Sequence, residues 1–578
     1  MSELDWGIIL AYLLGVVGIG IAAGFLRRRG TEGRHYFLAG NSLTWPIIGL
    51  AMFAANISTV HLVSLAQTAY QYGLVYGNFE WMAGFTLILL SLFFAPLYLR
   101  SRVATLPDYL ERRFNRPCRD VLAIISLFSA IVIHIGVALY TAAWVLRGIL
   151  GMPPEATILG IDALMFIIIA LGVLTGIYTM LGGLLAVVWT ESIQTVLLLI
   201  GAVAITLVGY IKVGGWSELV HTLATHPHPL AGQEGIPAST GNFLSMARPT
   251  GDASGLPWYS VLLGYPVLGI WYWCADQTIV QRVLAARDEK QARLGPLFCA
   301  FLKILPVFFF VLPGVICVAL VQKGSFDGAA PLTTADTYTF MLTHLLPVGL
   351  KGLVAAAMLA AAMQTCSAAL NSSATLFAYD IVKRWNPTTT DHRLVVIGKI
   401  TTVAATVIAI AMSPLFGHYN TIFEGLSRLI AYIAPPITAV FLLGVFWKKA
   451  SGKAALLTLI SGGAMGLFLF PLDFWQKPIT SFLAENSPLL GSVFTGFCRY
   501  VIQDFMLTAF YLLVIDCGIM WVASMLKPEP LKEEARMLVW EDWREPLLGE
   551  AHGHALGNYR ILAAIVLTSF VMLYIIFG

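Results

Sequence analysis

The chain has 578 residues, of which 58% are hydrophobic and only 12% are charged, and its mean hydropathy is +0.79. A water-soluble protein of this length carries far more charge on its surface, so the composition excludes that class and predicts a membrane protein. A formal net charge of +3 gives no support for a nucleic-acid or strongly acidic partner.

Runs of about 18 or more apolar residues are long enough to cross a bilayer as helices. We find them near 6–26, 43–68, 79–98, 120–146, 163–181, 184–211, 258–278, 296–321, 350–382, 394–415, 421–447, 454–472, 502–525 and 560–577. The sequence therefore predicts an all-α integral membrane protein of about fourteen transmembrane helices, embedded in the cell membrane. Its even number of spans places both termini on one side.

Basic residues predict the orientation, because loops rich in Lys and Arg remain in the cytoplasm. Most of them follow odd-numbered spans: Arg27, Arg28, Arg29, Arg34, Arg100, Arg102, Arg112, Arg113, Arg116, Arg119, Arg282, Arg287, Lys290, Arg293, Lys527, Lys532, Arg536, Arg544 and Arg560. These loops are predicted to be cytoplasmic and both termini extracytoplasmic.

Two linkers are long. Residues 212–257, outside the membrane, are rich in Gly, Pro, His and Thr and are expected to form a loop with little fixed structure. The cytoplasmic segment of about 527–559 contains the mixed-charge stretch Lys532–Arg536, which favours a surface helix. Neither holds a Walker A motif, a zinc signature or a nucleophile elbow, so no enzyme, organic cofactor or ATP-driven pump is predicted.

The second span carries polar groups at membrane depth. Asn56 follows two alanines and precedes Ser58 and His61, and Glu80 opens the next span. Such groups are costly in lipid unless they face a partner or a watery cavity. Small residues with a mid-span Asn favour a broken helix whose freed carbonyls face a cation.

The seventh span has a comparable centre, from Gly264 and Pro266 to Asp276. Two interrupted helices five spans apart favour two five-helix repeats of opposite topology; ordinary packing glycines and prolines are the alternative.

Other spans also hold polar side chains. The ninth contains a cluster around Gln364 and Thr365 whose hard oxygens suit sodium, although Ser and Thr also bond to their own helix. Lys303 either reaches a polar cavity or extends towards the interface. His134, alone in the fourth span, is interpreted as a structural histidine, and Glu191 lies within the sixth.

Aromatic residues mark the seventh span. Trp271, Tyr272 and Trp273 form either an interfacial belt or a stacking surface, and their place beside Asp276 favours stacking on a flat-faced ligand. Sugar rings present CH faces to aromatic rings and hydroxyls to carboxylates and amides. The residues expected to supply this chemistry are Asn56, His61, Glu80, Tyr272 and Lys303.

Several stretches in one order resemble the sodium/solute symporter family, most closely its sodium/glucose cotransporter branch. They are Phe37–Gly40, Ala55–Ser58 through His61, Phe79–Trp81, Trp271–Cys274, Asp276 with Gln277, Ile279–Arg282, Asn371 with Ser372, Pro435 with Pro436 through Ala439–Leu443, and Phe446–Lys448. The resemblance implies a LeuT-type core of two inverted five-helix repeats at residues 43–450, with an extra helix and loop at 1–42 and C-terminal helices at 451–578.

The resemblance also implies roles for individual residues. Sugar contacts are expected from Asn56, His61, Glu80 and Lys303, and Tyr272, beside Trp273, is expected to be the inner stacking gate. The sodium site is expected to use carbonyls of Ala54, Ile57 and Ala361 and the Thr365 hydroxyl. Glu191 stands at a position that the family links to cation coupling and the inner exit.

Two departures from the family pattern affect these expectations. Gln364 replaces the first of two adjacent hydroxyl residues. Its amide either supplies an oxygen ligand to sodium or occupies the place of the ion. Ser427, followed by Arg428, replaces a sugar-binding glutamine. The alternatives are therefore a sugar bound in another pose, a larger sugar, a polyol, or an acidic sugar that contacts Arg428.

We predict a secondary active symporter that imports a sugar or polyol on a sodium gradient by alternating access. Its partners are the small solute and the lipid bilayer. The alternatives are a symporter for another organic solute such as a carboxylate, and a proton-coupled transporter, uncoupled channel or sensor on the same scaffold. The exact substrate, the stoichiometry and the oligomeric state do not follow from the sequence.

Overall fold

The computed structural model describes residues 2–26, 33–153, 155–233, 235–331, 333–418, 422–502, 504–548 and 557–578. Up to residue 225 the helices are α1 (Glu3–Leu26), α2 (Gly33–Leu38), α3 (Trp45–Asn56), α4 (Thr59–Tyr72), α5 (Asn78–Leu89), α6 (Ala95–Ser101), α7 (Leu106–Arg113), α8 (Arg116–Phe128), α9 (Val137–Ile149), α10 (Ala163–Val213) and α11 (Trp216–Thr225). A two-stranded antiparallel hairpin, β1 (Thr157–Ile158) and β2 (Ile161–Asp162), precedes α10.

The second half of the chain is also helical. Its helices are α12 (Trp258–Ile270), α13 (Gln277–Leu284), α14 (Glu289–Leu302), α15 (Leu312–Gln322), α16 (Thr337–Leu345), α17 (Leu350–Leu376), α18 (Lys383–Trp385), α19 (Asp391–Met412), α20 (Ile422–Phe446), α21 (Gly452–Phe474), α22 (Gln476–Asn486), α23 (Pro488–Phe497), α24 (Phe505–Leu526), α25 (Glu533–Arg536), α26 (Glu545–Leu548) and α27 (Tyr559–Phe577). Short π-helical turns continue several of them, including Leu90–Phe94 between α5 and α6 and Trp271–Ala275 after α12.

Each predicted span falls on one helix or on consecutive helices, so the prediction of an all-α membrane protein is confirmed. Within the described residues, 11 helical stretches are long and apolar enough to cross a membrane. The predicted spans 163–181 and 184–211 correspond to two separate helical stretches within α10, Ala163–Leu184 and Val187–Val213. The chain bends there at Gly183, whose φ of 64° favours glycine.

Both predicted helix interruptions are present. Between α3 and α4 the backbone is extended at Ile57, with φ −73° and ψ 112°. Between α12 and α13 it is extended at Asp276, with φ −88° and ψ 125°. Each interruption leaves peptide groups without helical partners at membrane depth, which is tolerated only against protein or a cavity.

The expectation that residues 212–257 have little fixed structure is wrong for the described part of this loop. It contains α11, and its Phe243 and Met246 side chains are buried. The N–H of Leu74, just beyond α4, donates to the carbonyl of Phe243 at 2.7 Å. Burial of apolar side chains and pairing of backbone groups therefore order the loop against the C-terminal end of α4.

The described part of the segment 527–559, which is predicted to be cytoplasmic, is likewise packed. The predicted surface helix is α25, and Leu538, Val539 and Trp540 beyond it are buried. The predicted loop arginines Arg27, Arg28 and Arg29, and residues 549–556 of this segment, lie outside the described residues.

Candidate functional site

Residues beside both helix interruptions line one cavity. Its empty space, including the open mouth, is about 880 Å³. The lining residues are Asn56, Ser58, His61, Phe79, Glu80, Ile133, His134, Val137, Tyr265, Leu268, Gly269, Trp271, Tyr272, Trp273, Thr365, Leu426, Ser427 and Ile430. A mostly apolar wall with a few convergent polar groups is typical of a site for a small organic molecule.

The polar end of the cavity is organised by Lys303, the residue that follows α14. Its ammonium lies 2.5 Å from Oε2 of Glu80 and also donates to Oδ1 of Asn56. Lys303 is 1% exposed and is absent from the described lining of the cavity. It therefore neutralises and orients the Glu80 carboxylate from behind, while Glu80 and Asn56 face the cavity.

His61 approaches the other oxygen of the same carboxylate. Its Nε2 lies 3.6 Å from Oε1 of Glu80. Because the N–H of Ser58 donates to Nδ1 at 3.2 Å, we assign the neutral tautomer with the proton on Nε2. The helix interruption at Ile57 and Ser58 thus sets the direction in which the imidazole points.

Tyr272 lies between the two interrupted helices. Its hydroxyl accepts a hydrogen bond from Nδ2 of Asn56 at 3.2 Å. The ring packs edge-on against Trp273, with centroids 5.1 Å apart, and the Lys303 ammonium lies 5.3 Å from the Trp273 ring centroid. The predicted contacts Asn56, His61, Glu80, Tyr272 and Trp273 therefore come together in one wall.

His134 lines this cavity, although the sequence alone favoured a structural role. Its Nε2 lies 3.4 Å from Oδ2 of Asp276, without hydrogen-bond geometry, and its ring centroid is 5.9 Å from that of Tyr272. Asp276 also begins α13, since its Oδ1 accepts the N–H of Thr278 at 2.7 Å. The sequence feature that could have indicated this contact is a His within one span together with an Asp at the interruption of another.

The predicted ion-site residues lie on α3, on its interruption and on α17, which packs against α3. Thr365 lines the cavity, and its hydroxyl donates to the Ala361 carbonyl at 3.3 Å. The Gln364 amide nitrogen donates to the Glu191 carbonyl at 3.3 Å. Its Oε1 is buried without a hydrogen-bond partner among the described residues, so an acceptor oxygen is available there.

Glu191 is paired with an arginine outside the cavity lining. Its Oε1 lies 2.6 Å from Nη2 of Arg282, and both side chains are fully buried. Arg282 also donates to the Thr278 carbonyl. The pair therefore ties the second half of α10 to α13, directly beyond the interruption at Asp276.

The two predicted contacts on α20 have different surroundings. Ser427 lines the cavity. Arg428 instead donates to Asp473 on α21, at 2.9 Å to Oδ1 and 3.2 Å to Oδ2, and Tyr432 donates to the same carboxylate. Arg428 thus lies outside the described lining, with its charge directed towards α21.

A family model, that of the sodium:solute symporter family, matches residues 36–462. The chain belongs to the sodium:solute symporter family. The resemblance inferred from the sequence is thereby confirmed, as is the prediction of a membrane transporter rather than an enzyme. Its members are sodium-coupled solute symporters, so the general activity of this multi-pass protein follows from membership.

Similarity to individual symporters extends over most of the chain. Sodium/glucose cotransporter 2 of Rattus norvegicus is 35% identical over 490 residues, which cover 81% of this chain and 71% of the relative. Sodium/mannose cotransporter SLC5A10 of Bos taurus is 30% identical over 584 residues, which cover 97% of this chain and 93% of the relative.

A solved structure also matches the fold. It is the substrate-bound outward-open state of a Na+-coupled sialic acid symporter, with a TM-score of 0.70 at 23% identity, covering 92% of this chain and 99% of that chain. This match confirms the fold class, an all-α membrane protein with a LeuT-type core of inverted repeats.

Proposed function

We propose that this symporter imports a neutral sugar or polyol on the sodium gradient, binding it in the cavity between the two interrupted helices. The observation that carries the proposal is the Glu80 carboxylate in the cavity wall, held from behind by Lys303 and flanked by His61. Lys303 occupies one carboxylate oxygen, so the other oxygen and the His61 N–H are left for substrate hydroxyls.

Hydroxyl groups match this arrangement because each both donates and accepts. A hydroxyl donates to the carboxylate of Glu80 in a charge-assisted bond and accepts from the amide of Asn56 or the N–H of His61. The aromatic side chains of Trp271, Tyr272 and Trp273 provide flat apolar surfaces for the CH face of a ring. The named substrates of the relatives, glucose and mannose, agree with this class.

The charges in the site favour a neutral substrate over a carboxylate. The Lys303 ammonium is already paired with Glu80, and the Arg428 guanidinium with Asp473. A substrate carboxylate in the cavity would therefore meet the charge of Glu80 without an uncommitted cation from either residue.

For the coupling ion, we propose that sodium binds between α3 and α17. Carbonyls of Ala54, Ile57 and Ala361 and the hydroxyl of Thr365 supply four oxygens. The fifth is Oε1 of Gln364, which has no hydrogen-bond partner in the described part of the chain. This choice requires the amide oxygen, rather than the NH₂ group, to turn towards the ion; the bond from Nε2 to the Glu191 carbonyl supports that orientation.

The proposal is tested by counterflow uptake in proteoliposomes with a panel of neutral sugars, polyols and acidic sugars. We expect uptake of a neutral compound in sodium and little uptake in choline or on a pH gradient alone. Glu80→Gln should lower affinity by about tenfold or more, since a hydrogen bond to a charged group contributes about 1.5–3 kcal/mol. Glu485→Gln, at an exposed position on α22, is the matched control.

Three results would contradict the proposal. Uptake confined to acidic compounds would favour the carboxylate alternative, and equal uptake in choline would exclude sodium coupling. Unchanged affinity in Glu80→Gln would show that this carboxylate is structural.

A further inference from the structure

A buried carboxyl group lies far from the cavity, at the junction of α20, α21 and α24. Asp516 is at the centre of α24 and its side chain is fully buried. Eleven residues precede it in the helix and ten follow it, and at 1.5 Å per residue it lies about 15 Å from either helix end. The carboxyl group is therefore near the midplane of the membrane.

Close packing surrounds this group. A Cβ atom added to Gly462 of α21 would lie 2.5 Å from Oδ1 of Asp516 and 2.6 Å from Cβ of Pro436. The missing side chain of Gly462 thus makes room for the carboxyl group between α21 and the proline pair of α20. Any larger residue at 462 would displace it.

Asp516 has no charge partner or hydrogen-bond donor among the described residues: both of its carboxyl oxygens are buried and unpaired. The ionisable residues described on the packed helices lie elsewhere. Arg428 and Tyr432 both donate to Asp473, near the N-terminal end of α20 and the C-terminal end of α21, and Lys453 pairs with Glu529 at the opposite end of α21. Tyr265 of α12 donates to the Phe79 carbonyl, while the thiol of Cys517 adjoins Asp516 in α24.

An ionised carboxylate in this position would be an uncompensated charge in a low-dielectric interior, which is strongly unfavourable. A bound sodium or other metal ion would need several ligands, and no group of three or more His, Cys, Asp or Glu side chains that could hold a metal ion occurs among the described residues. A proton neutralises the charge without further ligands. We propose that Asp516 is a proton-binding site, occupied at neutral pH, that keeps α20 packed against α21 and α24.

The site adjoins a helix that lines the transport cavity. Pro436 and the cavity-lining residues Leu426, Ser427 and Ile430 belong to the same helix, α20. When hydroxide removes the proton, the O–H bond breaks and the carboxylate must gain water or leave its packed position. Loss of the proton at alkaline pH should therefore loosen the contact of α20 with α21 and α24.

The test is the thermal unfolding of the full-length protein in detergent between about pH 6 and about pH 10. We expect the midpoint of the wild type to fall at alkaline pH by about 2–4 °C more than that of Asp516→Asn, which imitates the protonated group. Exposed Glu485→Gln should follow the wild type. If Asp516→Asn does not fold, Asp516→Leu provides a second uncharged side chain for the same comparison.

Infrared spectroscopy provides a second readout. The wild type should have a protonated-carboxyl C=O band that is lost on raising the pH and is absent from either variant. Identical pH profiles and spectra in wild type and variants would overturn the proposal. Alkaline stabilisation of the wild type by sodium but not by choline, absent from Asp516→Asn, would also overturn it by identifying a metal-ion site.

Discussion

The ammonium of Lys303 lies 2.5 Å from Oε2 of Glu80, and both side chains are buried within the membrane region. Because Lys303 follows α14, Glu80 opens α5 and Asn56 ends α3, this one ammonium joins three helices at the cavity wall. The proposed substrate site and the packing of these helices therefore share the same ion pair.

Removing one charge of this ion pair should lower the free energy of unfolding more, per charge removed, than removing both charges. Glu80→Gln and Lys303→Met each leave one buried charge without its partner, which typically costs about 3–5 kcal/mol. We expect the double variant to be destabilised by less than the sum of the single variants, measured by thermal or denaturant unfolding in detergent. The partly exposed pair Asp108–Arg112 is the control, and additive effects at Glu80 and Lys303 would contradict the coupling.

Tyr272 is expected to act through its ring more than through its hydroxyl. Tyr272→Phe removes the acceptor of the Asn56 amide, a loss of about 1 kcal/mol or less in substrate binding. Tyr272→Ala removes the stacking surface beside Trp273 and should abolish tight binding and transport. The measurement is substrate affinity by calorimetry, followed by uptake; small and equal effects of both variants would assign Tyr272 to packing.

Gln364 should weaken sodium dependence without abolishing it. Its Oε1 has no hydrogen-bond partner among the described residues and can serve as an ion ligand, but the amide is longer than the hydroxyl side chain of the family pattern. We expect Gln364→Ser to lower the sodium concentration for half-maximal uptake in proteoliposomes. Wild-type uptake that ignores sodium and becomes sodium-dependent in Gln364→Ser would mean that the amide fills the site. If the sodium dependence of uptake does not differ between wild type and Gln364→Ser, the sodium site lies elsewhere.

Trp540 should stabilise the packing of the segment 527–559 on the helices. Its backbone N–H donates to the Val445 carbonyl and its indole N–H to the Phe93 carbonyl, both at 3.0 Å, so it bridges the C-terminal end of α20 and the turn between α5 and α6. We expect the free energy of unfolding, measured with denaturant, to fall by about 1 kcal/mol in Trp540→Phe and by about 3–5 kcal/mol in Trp540→Ala. Trp543, which is 56% exposed, is the control; equal losses in Trp543→Ala would contradict a specific role.

His228 should make the loop of residues 212–257 sensitive to acid. Its Nδ1 accepts from the N–H of Leu230 at 3.0 Å, so Nε2 carries the proton and donates to the Tyr70 carbonyl at 2.8 Å. Burial lowers the pKa of His228 below its ordinary value. The folded state thus favours the neutral ring. The stability that this ring contributes is present above about pH 6.5, the unfolded-state pKa, and is lost as the pH falls below it through the lower pKa of the folded state.

We expect the unfolding temperature of the wild type to fall more steeply than that of His228→Gln between about pH 7.5 and about pH 5.5. His226→Gln, at an exposed position in the same loop, should behave like the wild type. Parallel profiles for all three proteins would exclude His228 as the acid-sensitive group.

The sequence by itself determined the membrane class, the positions of the spans and both helix interruptions. These features are local: an apolar run of sufficient length must span the bilayer, and polar groups such as Asn56 and Asp276 within it require a cavity or a partner. The family motifs placed Asn56, His61, Glu80 and Tyr272 as candidates, and the structure brings them to one wall.

Only the tertiary structure decided which groups meet. The pairs Lys303–Glu80, Arg428–Asp473 and His134–Asp276 join residues distant in the chain, and no local pattern specifies such contacts. The order of residues 212–257 depends in the same way on apolar surface buried against other helices. Packing also decides that Asp516 has no partner among the described residues. The sequence shows an aspartate in an apolar run, but only the neighbouring helices determine which side chains lie beside it.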